Sequence, residues 1–186
     1  MRKHSHTTTP PELHVIPVRR AVLKFLEKKL VIENNEPFPV GKKSQVGRML
    51  YHLLRTPQDD RQYDCSAEQY PVKFVVSVSH HLSWLNGCRY LTPQAIHDFN
   101  RQVEDMIEEE FLNCLRVLRA YGVQVETKQF AKDFMSLYGF TEDDFSLDAL
   151  IKAEYRRRKA AERLQKPFFL IPKCPVFPGP KALAHV

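Results

Sequence analysis

The sequence predicts an α+β protein, mostly helical, in which a small antiparallel sheet packs on one long helix. A C-terminal helical hairpin follows and ends in a basic helix. Three observations carry that expectation. An apolar stripe keeps helical spacing from Ile96 through Phe99, Val103, Met106, Ile107, Phe111, Cys114, Leu115 and Leu118 to Tyr121, the recurrence of a helix with one buried face. Val72, Phe74, Val76 and Val78 alternate instead, which is the period of a half-buried strand. Beyond Thr127, two shorter helical patterns follow closely, and the second carries Arg156-Arg157-Arg158-Lys159.

Taken in order, residues 1–12 read as a flexible arm. Leu13 to Val18 is a short strand, and Pro17, which has no N–H for a ladder, confines it to an edge. Over 19–30, Val22, Leu23, Phe25, Leu26 and Leu30 fall near one helical face. Glu33 to Pro37 is a loop. Ser44 is placed to cap a second helix carrying Val46, Met49, Leu50, Leu53 and Leu54. A polar loop spans 56–70 and leads to the strand 72–79. Asn86-Gly87, a tight-turn dipeptide, then suggests a hairpin returning through Arg89, Tyr90 and Leu91.

Thr92-Pro93 is a helix start, with Thr as cap and Pro at the first helical position. Gly122, the residue most able to take positive φ, ends that helix after about 45 Å. Its outer face holds Asp98, Glu104, Asp105, Glu108, Glu109 and Glu110, expected as a solvated face. Thr127 is expected to cap a helix over 128–138 that buries Phe130, Ala131, Phe134, Leu137 and Tyr138. Gly139-Phe140 turns the chain, and Ser146 caps the basic helix, whose Asp148 suits the N-terminal dipole. The organisation is therefore an arm (1–12), a mixed α/β core (13–122), a helix-turn-helix-like basic segment (123–166) and a proline-rich apolar tail (167–186).

Composition narrows the function classes. Twelve Phe and seven Tyr within 43% apolar residues provide for a buried core and argue against global disorder. Six Gly against thirteen Pro argues against a glycine-rich phosphate loop. No run approaches the roughly 18–20 apolar residues of a membrane span. Met1-Arg2-Lys3 is basic but His4 to Glu12 is polar, so no secretory leader is expected. Cys65, Cys88, Cys114 and Cys174 form no CxxC, and a reducing cytoplasmic setting with free thiols is the default.

Charge supplies the sharpest functional signal. Residues 150–166 contain seven cations, Lys152, Arg156, Arg157, Arg158, Lys159, Arg163 and Lys166, against Glu154 and Glu162, while the whole chain carries +6. Solubility alone is usually served by interleaving acids at i,i+4. A bunched excess is the electrostatic footprint of a polyanion partner. Lys152, Arg156, Lys159 and Arg163 recur along one helical face as a stripe about 16 Å long, suited to several phosphates along a groove. Tyr155 adds a hydroxyl or a stacking surface. The expected nucleic-acid-binding residues are Lys152, Tyr155, Arg156, Arg157, Lys159 and Arg163. DNA is the first choice, RNA a further one, and an acidic protein docking on the basic helix and apolar tail is the alternative.

The stretch 130–159, FAKDFMSLYGFTEDDFSLDALIKAEYRRRK, resembles the C-terminal helix-turn-helix-like segment of small accessory proteins of bacterial phages and mobile elements, including Mor/C-like activators. The resemblance covers about one sixth of the chain. It implies DNA binding, as a regulator or accessory factor, with Lys152, Tyr155, Arg156 and Arg157 where such a helix approaches the duplex.

Other constellations are weaker. Cys65, His80, His81 and Cys88 include tetrahedral-zinc residue types but lack close ligand pairs, so no metal or cofactor is expected. Ser77, Ser79, His80 and His81 offer hydroxyls and imidazoles, yet adjacent histidines on a continuing strand would point to opposite faces, so no catalysis is expected. His80, His81, Trp84, Arg89 and Tyr90 could stack bases, although Trp84 and Tyr90 are expected to pack on the long helix. The tail, with Phe168, Phe169, Leu170 and Ile171, is expected to lie extended on the body or on a partner.

Overall fold

In chain order the protein forms β1 (Glu12–Val18), α1 (Arg20–Leu30), β2 (Phe38–Pro39), α2 (Gln45–Arg55), β3 (Val72–Val78) and α3 (His80–Asn86). There follow α4 (Pro93–Ala120), α5 (Thr127–Tyr138) and α6 (Leu147–Gln165). The structure, a computed structural model, describes residues 10–32, 36–55, 70–89 and 91–165. The expected arm up to residue 9, most of the polar loop before β3, Tyr90 and the apolar tail lie outside the described residues. The mostly helical α+β class is as the periodicities predict.

The sheet is mixed, which corrects the wholly antiparallel expectation. Its order is β1-β3-β2. β1 runs antiparallel to β3 with Val18 opposite Val72, while β2 runs parallel to β3 with Phe38 opposite Val76. The cause is connectivity: α2 lies between β2 and β3, and a strand–helix–strand crossover returns the chain in its original direction. β2 escapes a sequence reading because it is two residues long, follows Pro37 and itself contains Pro39. β1 is an edge strand, the place its proline allows.

One face of the sheet, with Ile16, Val18, Phe74, Val76 and Val78, is buried. It meets a continuous core to which α1 gives Phe25 and Leu26, α2 gives Leu50 and Leu54, and α4 gives Phe99, Val103, Ile107, Phe111 and Leu115. Thr92 caps α4 as expected, its Oγ1 accepting the Ala95 N–H at 3.1 Å. Buried Asn100 ties α4 to the sheet: its amide donates to the Pro17 and Ile96 carbonyls, and its Oδ1 accepts the Arg19 N–H at 2.9 Å. Those bonds offset the cost of placing an amide in the core.

The core continues past the expected boundary at 122/123. Phe111 of α4 stacks on Phe130 and meets Phe134 edge-on, with centroids 5.5 and 5.4 Å away. Tyr138 of α5 lies 5.2 Å from Phe25 of α1. Leu137 is 59% exposed and Met135 is buried in its place. Thr127 begins α5 rather than capping it, and its hydroxyl accepts from Arg119 at 3.0 Å.

The hairpin expected over 80–90 is replaced by α3. Ser79 Oγ accepts the Leu82 N–H, and Gly87 takes φ 66 just past the helix end. Asn-Gly therefore serves as a helix terminus, a use of positive φ that a hairpin turn shares. Trp84 does not pack on the long helix: it is 70% exposed and stacks on His80 of its own helix at 5.8 Å.

Candidate nucleic-acid interface

The base of α6 is set by a buried carboxylate. Asp144 accepts the N–H and hydroxyl of Thr141 and an ion pair from Lys24 at 2.6 Å, and Lys24 also donates to the Gly139 carbonyl. Burial by itself would raise the Asp144 pKa. The Lys24 and Thr141 bonds prevail and hold it below the ordinary carboxylate value. The first free N–H of α6, on Leu147, is capped by the Glu142 carboxylate at 3.2 Å rather than by the Ser146 side chain. The α5–α6 connection, Gly139 to Ser146, is longer than the roughly three- to four-residue turn of a helix-turn-helix.

α6 then divides sharply. Its first half is anchored by buried Leu150 and Ala153, and by Glu154, which is 7% exposed and bonded to Arg119 at 2.8 Å. From Tyr155 through Arg163 every side chain is exposed, Ala160 and Ala161 included. Over Tyr155–Arg163 no side chain is buried in the core, although the backbone remains helical.

Of the six expected binding residues, Lys152, Tyr155, Lys159 and Arg163 share the outer stripe. Arg158 and Lys159 lie 5.8 and 5.6 Å from the Tyr155 ring centroid, within cation–π reach. Arg156 lies at the margin of that stripe, close enough to Glu108 to favour its charged form. Arg157 departs from the expectation. It lines a groove with Gln102, Asp105, Glu108 and Glu109 of α4, so it faces acids of the body.

The acidic run on α4 is correspondingly less solvated than expected. Glu104 pairs with Arg19 at 2.6 Å and Glu110 with Lys29 at 2.5 Å. Partial burial, then Asp105 and Glu104, push the Glu108 pKa up against the pull of Arg156. A second groove between α4 and α6, about 270 Å³, has Leu112, Leu115 and Ala161 among its lining with Arg116, Arg119, Arg157 and Arg158 around them.

A second cationic surface had no counterpart in the sequence expectations. The Gly41–Ser44 loop folds tightly onto α2: a Cβ on Gly47 would meet the Gly41 carbonyl oxygen at 2.5 Å. This fold brings Lys42 over the Tyr51 ring at 4.8 Å, with Arg55 at 5.8 Å. Arg48 donates to the Lys42 carbonyl at 3.3 Å. Among the described residues, no carboxylate pairs with Lys42, Lys43, Arg48 or Arg55. Their wide spacing along the chain conceals them in a charge count.

The remaining motifs have local roles. Ser79 caps α3, and Ser77 lies half-buried in β3. Cys88 is buried, its thiol directed at the Tyr51 carbonyl, and burial raises its pKa despite Arg55 and Lys42 nearby. Cys65 lies outside the described residues. No described helix is long and apolar enough to cross a membrane. Comparison of the chain with protein-family models, with curated proteins and with solved structures finds no match.

Proposed function

We propose that this chain is a non-catalytic nucleic-acid-binding protein, with DNA the first choice, and that the outer stripe of α6 is its interface. The observation that carries this reading is the exposure of every residue from Tyr155 to Arg163 on a helix whose first half is firmly packed. A helical stretch with every side chain exposed gains little from tertiary packing. Here it holds Lys159 and Arg163, in line with Lys152 of the packed half, at a spacing that meets successive phosphates while Tyr155 offers a ring or hydroxyl. The resemblance of 130–159 to Mor/C-like segments favours a regulator or accessory factor of a bacterial phage or mobile element, working in the cytoplasm. Its longer α5–α6 connection argues for a docking geometry other than that of a standard helix-turn-helix.

The test is a salt titration of duplex binding by the full chain. Charge-driven binding requires log K to fall steeply and linearly with log salt, at about 0.9 per phosphate contact. A flat dependence, or no binding at low salt, would reject the reading. The α4–α6 groove supports one other reading, an adaptor. Its apolar and arginine lining suits a short acidic, amphipathic segment of a protein partner, and such binding would persist when nucleic acid is absent.

A further inference from the structure

We infer that the α2–α3 face is a second nucleic-acid surface, separate from α6, which binds a single strand by phosphate contacts on α2 and base stacking on Trp84. This inference stands independently of the α6 reading, because it uses none of its residues.

The geometry begins at Tyr51. Its hydroxyl donates to Asn86 of α3 at 3.3 Å, and its carbonyl accepts the Cys88 thiol. These contacts dock the end of α3 against α2 beside Lys42 and Arg55, the two cations bracketing the Tyr51 ring. Trp84 lies two residues before Asn86, so it is within a few nucleotides' reach of those cations. Ser83, just before Trp84, is buried and donates to Glu12 at 2.5 Å. That bond fixes the face of α3 that turns inward and leaves His80, His81, Trp84 and Leu85 exposed.

Two features select a single strand over other polyanions. Indole is among the residues most enriched where one face is covered and the other meets a partner. Yet Trp84 is 70% exposed, with the His80 ring stacked beside it. A flat exposed aromatic within a few nucleotides of a cation cluster is a pattern that holds unpaired bases, because every base presents a π-face. A duplex buries those faces and could use only the cations. An acidic peptide would likewise leave the indole without a stacking partner.

Trp84 is also the chain's one tryptophan, so its fluorescence reports on this surface alone. The full-length protein is titrated with oligothymidylate about fifteen nucleotides long, a duplex of equal length, and polyglutamate. Oligothymidylate is expected to quench the emission strongly, with the other two doing so weakly. Trp84→Ala should lower oligothymidylate affinity about tenfold by anisotropy of a labelled strand, whereas Trp84→Phe should restore most of it. Arg48→Gln with Arg55→Gln should reduce the salt slope by about one to two units, at about 0.7 per contact for single strands. A variant carrying Lys152→Gln, Lys159→Gln and Arg163→Gln should retain the quenching, which separates this surface from α6. Binding of oligothymidylate without quenching would overturn the inference. So would quenching equally strong with polyglutamate, or quenching lost in the α6 variant while its melting temperature is unchanged.

Discussion

The two basic surfaces are opposites in how charge along the chain becomes charge in space. α6 concentrates its cations in consecutive positions, but the fold lays α4 beside it, so Arg157 faces Asp105, Glu108 and Glu109 and Arg156 is felt by Glu108. Around α2, Lys42, Lys43, Arg48 and Arg55 are spread over fourteen positions, and no described carboxylate pairs with them. A charge run is thus an upper bound on a surface potential: the neighbouring element decides how much reaches solvent. The cations of α6 that remain on the outer stripe are Lys152, Lys159 and Arg163, with Tyr155 among them.

The most severe test asks whether both surfaces rest on one core. Phe111 is fully buried, stacked on Phe130 and edge-on to Phe134 of α5, while its helix also carries the side chains that cover the sheet. Phe111→Ala should cost about 3–5 kcal/mol, a large part of the roughly 5–15 kcal/mol of a typical domain. A single cooperative melt followed by far-UV circular dichroism and Trp84 emission should shift as one. Two separated transitions would show that α5 and α6 fold apart from the α2–α3 face. A loss below about 1 kcal/mol would contradict the packing.

Next in size is the α6 stripe. Lys152→Gln, Lys159→Gln and Arg163→Gln together should flatten the duplex salt slope by about two to three units. Melting should change little, since exposed charges contribute at most about 1 kcal/mol each. Arg157→Gln alone should matter less, because that guanidinium faces the body. If Arg157 proved the most damaging single change, the division between outer and inner cations would be wrong.

How much of this was legible follows from which interactions are local. Periodicity and caps are written over a few residues, so α4 from Thr92, the β3 alternation and the edge position of Pro17 could all be read directly. The partner of each face is not local. Nothing near Arg157 announces Glu108, and nothing near Lys42 announces Tyr51, so the compensation of α6 and the existence of the α2 patch needed the fold. Asn86-Gly87 failed for a different reason: positive φ serves hairpin turns and helix ends alike, and only Ser79 seven positions earlier, acting as a cap, decides between them. Trp84 failed because a large aromatic is normally buried, and an exposed one breaks that rule at the place proposed here for function.

Asp144 offers a way to loosen one surface and spare the other. Its carboxylate joins Lys24 of α1 to the turn that launches α6, with its side chain 3% exposed. Asp144→Asn should cost about 1.5–3 kcal/mol, the range for hydrogen bonds to charged groups. Its folded pKa is depressed, so the stability it contributes is present above its ordinary value of 3.8 and lost as pH falls through the lowered folded value. The wild-type advantage over Asp144→Asn in denaturant midpoint should therefore shrink in strong acid. An advantage independent of pH would mean that the carboxylate's charge contributes nothing. Duplex binding should suffer before Trp84 quenching does.

The smallest expected effect is the most direct probe of compensation. Glu108 is the α4 acid that both burial and its neighbours Asp105 and Glu104 hold above the ordinary value of 4.5, with Arg156 pulling the other way. Glu108→Gln removes a negative charge beside the margin of the stripe without removing volume. Duplex affinity should rise a few-fold, with the salt slope steeper by at most about one unit if Arg156 gains a phosphate. The sign with pH follows from the raised folded pKa. The stability contribution of Glu108 is fully present below 4.5 and is lost as pH rises through the folded value. Over that same window the wild type should bind duplex more tightly as pH falls and the carboxylate takes up its proton. The Gln variant has no such proton to gain, and its anisotropy-measured affinity should lack that component. If both proteins gave the same pH profile, Glu108 would not be restraining Arg156, and the outer and inner cations of α6 would have to be treated as one set.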